Sequence, residues 1–362
     1  MKQLFGFIIV VLFFWISGCE STTNSSQQKQ DTTKVDVQPD STLVEELPDS
    51  GKVLDAFSGN VWRRINFTSP LIGYFWPSPG GPTTPLLKTT DGGFSWRPLS
   101  YTGLLYVLRF YNDNIGLIAT QNQTIWRTHN GGISWETFAA PFPANTWMQD
   151  IYFDPANASR VWMISLQVMY TSVDTGRTWT VASVADSGFS YGRQILFTSS
   201  LTGWLLSDIK IYKTNNSSDW IGIQSPPEVG SGNYLDGIAG GVTVAALSNK
   251  IYKTIDGTSW QKILDGHTCT MISVQDNTHF WIGDDYGKIY NTTDGGITWI
   301  KQYSNSTKTH FFQYIKFFNL SNGIAMGAPL WDSLNHPITP TLFLYTTNGG
   351  TTWTQRIPKL KN

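Results

Sequence analysis

Histidine, cysteine and charge are scarce in this 362-residue chain, and each shortage removes a class of chemistry. The five histidines, His129, His267, His279, His310 and His336, stand too far apart for paired metal ligands, and no Cys-x-x-Cys occurs. No metal and no cofactor are therefore expected. Of two cysteines, Cys19 and Cys269, the first falls in a leader, so an internal disulfide is not expected and the fold must rest on its core. Charged residues make up 14% of the chain, with 25 Lys plus Arg against 26 Asp plus Glu, which gives no basic field for nucleic acid. The main apolar run, from Leu4 to Ile16, falls short of the roughly 20 residues that a membrane helix needs. A nucleophile elbow Gly-x-Ser-x-Gly is missing, as is a phosphate-cradling glycine loop.

What is present begins with an export signal. Lys2 and the apolar run are followed by Ile16-Ser17-Gly18-Cys19, which resembles the lipobox of bacterial lipoproteins. The resemblance implies cleavage before Cys19, lipidation of that cysteine, and anchoring to a bacterial membrane on its periplasmic side or at the cell surface. Residues 1–18 then form the signal peptide and 19–58 a polar tether, poor in aromatics and unable to offset chain entropy by burial. Residues 59–362 form the folded domain.

That domain is built on a repeat. Thr89-Thr90-Asp91-Gly92-Gly93-Phe94-Ser95-Trp96 recurs around Asn130 and Trp135, Asp174 and Trp179, Asp294 and Trp299, and Asn348 and Trp353. Shorter copies end in Asn216 with Trp220 and Asp256 with Trp260. The steps between successive box tryptophans are 39, 44, 41, 40, 39 and 54 residues. A period near 40 with short strands between turns predicts an all-β, seven-bladed propeller with four antiparallel strands, A to D, in each blade. In each turn, here called a box, the Asp or Asn is expected to accept backbone amides, the glycine to take positive φ, and the Trp to wedge into apolar blade surface. Earlier in each period come an apolar strand ending near Phe67, Phe110, Phe153, Phe197 or Phe318 and a second strand starting near Gly73, Gly116, Trp162, Trp204 or Gly323.

The boxes resemble the BNR or Asp-box repeat. The fuller pattern, an apolar strand ending in Phe, then Gly-Trp or a Gly-apolar strand, then Ile-Tyr-Lys-Thr, then the box, resembles the photosystem II stability and assembly factor-like propellers over about Asn60 to Pro358. That resemblance implies a protein-binding assembly scaffold without catalysis. Asp boxes also mark sialidases, whose first arginine belongs to an Arg-Ile-Pro element near the start of the domain. Here Arg356-Ile357-Pro358 lies beyond the last box, at the wrong end. Arg97, Arg127, Arg177 and Arg356, all in or beside boxes, read as solvated surface charges, and no enzyme is expected. A glycan-binding lipoprotein is the alternative, and a sialidase-like hydrolase a more distant one.

If all boxes lie at one end of the ring, antiparallel pairing puts the B–C and D–A loops at the other. Two extra B–C stretches, Pro77 to Pro85 in blade 1 and Gly327 to Thr341 in blade 7, belong to ring neighbours and are expected to form a raised rim there. The D–A loops carry Tyr106, Arg109, Trp147, Tyr191, Arg193, Tyr234, His310 and Phe312, and the blade 7 insertion carries Trp331. Aromatic and Arg enrichment suits a protein contact surface. Ring closure stays open: the last strand either ends at Pro358 or is joined by a closing strand near Val53 to Phe57.

Overall fold

The computed structural model describes residues 35–37, 52–53, 64–77, 83–144, 146–182, 184, 191–208, 210–223, 226, 234–305, 310–329 and 341–361. Among these the fold is all-β: seven sheets, each a meander of four antiparallel strands in the order A-B-C-D. The inner A strands are Ile65–Phe67, Leu105–Phe110, Met148–Asp154, Gly192–Phe197, Tyr234–Gly237, Cys269–Val274 and His310–Phe317. The outer D strands are Ser95–Thr102, Glu136–Ala139, Thr180–Ala182, Ile221–Gly222, Gln261–Asp265, Trp299–Ser304 and Thr354–Arg356.

The recurring Phe and Gly of strands A and B are directly paired. Phe67 opposes Gly73, Phe110 opposes Gly116, Phe197 opposes Gly203 and Phe317 opposes Gly323. A Cβ on any of these glycines would collide with the Phe ring, so glycine is what lets the ring lie flat across the sheet. The Phe then receives two more aromatics. The box Trp of its own blade meets it edge-on, as in Trp353 against Phe317 at 5.8 Å and 89°. At three of the four a strand B aromatic of the preceding blade stacks on it, Tyr74 on Phe110, Trp162 on Phe197 and Trp281 on Phe317, while Phe67 meets Tyr314 of the preceding blade's inner strand. Blade and blade junction thus share one apolar unit, and its burial is the main stabilising term. In blade 7 the inner strand ends at Phe317, one residue before the expected Phe318, and in blade 3 strand B runs Asn157–Ser165, starting well before Trp162.

The seam between blades 7 and 1 is closed by extra strands. After its last D strand the chain crosses to blade 1, where Lys359–Leu360 pairs in parallel with Ser95 and Trp96. Lys52–Val53 pairs antiparallel with that tail. The chain therefore does not stop at Pro358, as the first route for closure had it; a strand from the start of the expected closing stretch joins the tail at Val53, while residues 54–57 lie outside the described set. A second strand within the expected tether, Val35–Val37, pairs in parallel with Trp299 to Lys301 on the outer edge of blade 6.

Candidate functional site

The boxes are locked as their residue types require. Thr89 Oγ1 donates to Asp91 Oδ1 at 2.8 Å and accepts the Gly93 amide at 2.9 Å, while Asp91 Oδ1 accepts the Ser95 amide at 2.9 Å. The same network recurs around Asn130, Asp174, Asp294 and Asn348. Gly92 and Gly93 hold φ of 72° and 98°, values at which a side chain would be strained. Burial raises the Asp174 pKa, but the hydroxyl of Thr178 and the amides of Thr178 and Arg177 outweigh it and hold the carboxyl at about 2. Trp96, Trp220, Trp299 and Trp353 are fully buried, whereas Trp135, Trp179 and Trp260 are half-buried.

Box amides bond to carbonyls of the A–B turns, Gly92 to Leu71, Gly131 to Asn114 and Gly349 to Ser321, each at 2.8 Å. Boxes and A–B turns therefore share one end of the ring. Box carbonyls in turn receive a donor from the preceding blade. Lys88 Nζ reaches Gly131, Arg127 reaches Asp174, Lys213 reaches Asp256 and Lys253 reaches Gly295. At the seam Arg356 donates to the carbonyls of Asp91 and Gly92, with its guanidinium 3.8 Å from the Phe94 ring and 3.4 Å from the Tyr345 ring. Of the four arginines expected as solvated charges, Arg97 and Arg177 are exposed. Arg356 is only 8% exposed because it bridges blades, and Arg127 is drawn in the same way.

A second belt runs around the channel. Asn66 Oδ1 accepts the Phe110 amide, Asp150 Oδ2 the Ile195 amide, and Gln194 Oε1 the Leu235 amide. Asp236 Oδ2 accepts the Val274 amide, Ser273 Oγ the Phe317 amide, and the Tyr314 hydroxyl the Phe67 amide. Between blades 2 and 3 the polarity reverses, and Arg109 donates to the Ile151 carbonyl and to Asp150, each at 2.8 Å. Every junction of the ring carries such a link. Inside it lies a cavity of about 220 Å³, lined by Arg109, Tyr152, Tyr234, Asp236, Tyr314 and Lys316 among others.

The rim residues separate into three groups. Trp147 is 63% exposed, with its ring 6.0 Å from that of half-buried Tyr106, and Tyr191 is 55% exposed. These precede or open the inner strands of blades 2, 3 and 4, which are consecutive in the ring. Arg193 is paired with Asp208 nearby. Arg109 and Tyr234, by contrast, line the channel cavity. Phe312 and His310 are not contact residues: Phe312 is 0% exposed and packs over Gly283 of blade 6, and His310 is 6% exposed beside Asn305. Both lie on an inner strand whose bulge between Phe312 and Tyr314 resets its side-chain alternation. Trp331 and Cys19 lie outside the described residues, as does most of the two expected rim loops. Among the described residues no three His, Cys, Asp or Glu side chains are grouped to hold a metal ion.

The architecture defines a closed seven-bladed propeller with a polar channel and an aromatic rim. Residues 84–216 match the family model described as sortilin, neurotensin receptor 3. The comparison with curated proteins found no match. Similar solved structures include YCF48 bound to D1 peptide, at 18% identity and a TM-score of 0.56 over 72% of this chain and 82% of that one. YCF48 from Cyanidioschyzon merolae is 16% identical, with a TM-score of 0.58 over 83% and 97% of the two chains. The GH74 xyloglucanase from Xanthomonas campestris is 11% identical with a TM-score of 0.64, over 84% of this chain and 55% of the enzyme. At these identities the likeness is one of fold.

Proposed function

We propose that this chain is a non-catalytic propeller scaffold, exported and lipid-anchored through Cys19, that binds a protein partner through the box-free rim around Tyr106, Trp147 and Tyr191. One observation carries the reading: aromatic rings stand on the D–A loops of consecutive blades, and the most exposed of them, Trp147, is backed by Tyr106. Exposed aromatics anchored on a rigid frame are typical centres of protein interfaces. The similar YCF48 structure that holds a peptide supports a binding role for such a ring.

The channel carboxylates favour binding over hydrolysis. Glycoside hydrolysis ordinarily uses two carboxyl groups facing the substrate. Here Asp150 accepts Arg109 and the Ile151 and Ile195 amides, and Asp236 accepts the Val274 amide, so both serve the inter-blade belt.

The test is affinity capture from native membranes with the intact protein and with Trp147→Ala combined with Tyr191→Ala. Loss of the captured partner by the double variant is expected. Retention by it, with loss on changing exposed box residues such as Ile133, would refute the rim assignment. A glycan array and a fluorogenic sialoside assay on the same preparations separate the carbohydrate readings.

A further inference from the structure

The channel cavity is unbalanced in its hydrogen bonding. Arg109 spends Nε and one terminal nitrogen on Ile151 and Asp150, and its other terminal nitrogen bonds to no described residue. Lys316 Nζ donates to the Phe67 carbonyl at 3.0 Å, which leaves two of the three ammonium protons. The Tyr314 hydroxyl accepts the Phe67 amide at 3.1 Å and keeps its own proton to give. The Tyr234 hydroxyl bonds to no described residue, while that of Tyr152 is committed to the Phe197 carbonyl. Acceptors among the lining side chains are few: Asp236 Oδ2 already takes the Val274 amide and Gln194 Oε1 the Leu235 amide, while the Gln275 side-chain carbonyl oxygen remains. Four side chains from blades 2, 5 and 7 thus bring spare donors to one cavity of about 220 Å³.

Charge narrows what such a cavity accepts. Arg109 and Lys316 line the cavity with two positive charges, and Asp150, which pairs with Arg109 without lining the cavity, brings one negative, so the site is neutral with Asp236 ionised and singly positive with Asp236 protonated. Burial pushes the Asp236 carboxyl up to about 6, against the amides of Val274 and Gly237 and the charge of Lys316. Burial, then Arg109, brings the Lys316 ammonium down to about 8. A single negative charge together with one proton on Asp236 restores neutrality; a doubly charged anion does not.

We propose that the channel is a binding site for one carboxylate, held by Arg109, Lys316, Tyr234 and Tyr314 and supplied by a small organic acid or by the free C-terminus of an extended chain. The lining residues fall largely in the later part of the inner strands, toward the A–B turns and boxes. The site is therefore separate from the aromatic rim, and the proposal stands independently of the rim's function.

Titration calorimetry on the full chain tests this with propionate, trialanine, trialanine amide and, as the doubly charged anion, sulfate. Binding of a carboxylate is expected near pH 6 and weaker binding near pH 8, since Asp236 loses its proton and Lys316 loses charge over that range. Tyr152, Tyr234, Tyr314 and Arg109 keep their charge states there. Lys316→Met should weaken binding about tenfold or more and Tyr234→Phe several-fold, as expected for losing hydrogen bonds to a charged group. Trp147→Ala should change nothing. Trialanine binding more tightly than propionate, with its amide silent, assigns the site to a chain terminus; the reverse order assigns it to a small acid. The proposal is overturned if neither acid binds, if sulfate or the amide binds as well as the acids, or if folded Lys316→Met and Tyr234→Phe both bind unchanged.

Discussion

At the box end of the ring every blade repeats one solution, whereas at the opposite end no two D–A loops share a sequence. The repeated end spends its polar groups internally: box side chains hold box amides, box amides hold A–B turns, and box carbonyls take a donor from the blade before, Lys or Arg in blades 1, 2, 3, 5 and 6 and Trp281 with Gln302 in blade 7. The other end leaves Trp147 and Tyr191 open to solvent. Conspicuous repetition therefore marks where the frame is made, and the irregular end is free to vary.

The largest expected effect in this contrast is at a box tryptophan. Trp96→Ala removes a fully buried ring packed against Phe67, Phe75 and Phe343 and should cost about 3–5 kcal/mol in denaturant unfolding. An effect below about 1 kcal/mol would mean that the box is not a structural anchor. Next comes the seam. Arg356→Met deletes the bonds to the first box and the contacts with Phe94 and Tyr345, with an expected loss of about 2–3 kcal/mol. The exposed Arg177→Met serves as its control and should stay within about 0.5 kcal/mol.

A smaller effect separates the boxes by chemistry. Asp174 has its pKa depressed to about 2, so its contribution is present above the unfolded value of roughly 3.9 and is lost as pH falls toward 2. Discounted for solvent screening at this partly exposed turn, that contribution is about 1 kcal/mol. Asp174→Asn should flatten the stability curve between pH 4 and 2 by that amount. An unchanged slope would place the acid sensitivity elsewhere. The smallest effect belongs to the rim: Trp147→Ala should shift stability by less than about 0.5 kcal/mol while abolishing partner capture. A large loss of stability would return Trp147 to the frame.

The blade count and the box turns were legible because each box depends on fixed residue types at fixed spacing: Asp or Asn for its acceptor oxygen, Gly for positive φ, and Trp for its ring. The channel belt was not legible. Its donors are mostly backbone amides, which almost any residue supplies, and its acceptors are Asn66, Asp150, Gln194, Asp236, Ser273 and Tyr314, alike only in carrying oxygen. Residue type leaves no periodic trace in such a belt. Arg356 was misread for a related reason: its place beside a box suggested solvent, while its surroundings depend on the ring bringing the last blade against the first. On the rim, alternation alone could not tell Trp147 from Phe312, because a bulge in the inner strand shifts which side chains face inward.

The seam has a kinetic consequence. A linear array of repeats has terminal units that bury one face less, so it can fray inward from either end. In this ring the first and last blades are joined by Tyr314 to Phe67, by Arg356 to the first box, and by the tail strand along Trp96. Neither end of the chain is then an end of the array. Unfolding has no free terminus from which to start until that junction opens, so the lifetime of the folded ring is set there.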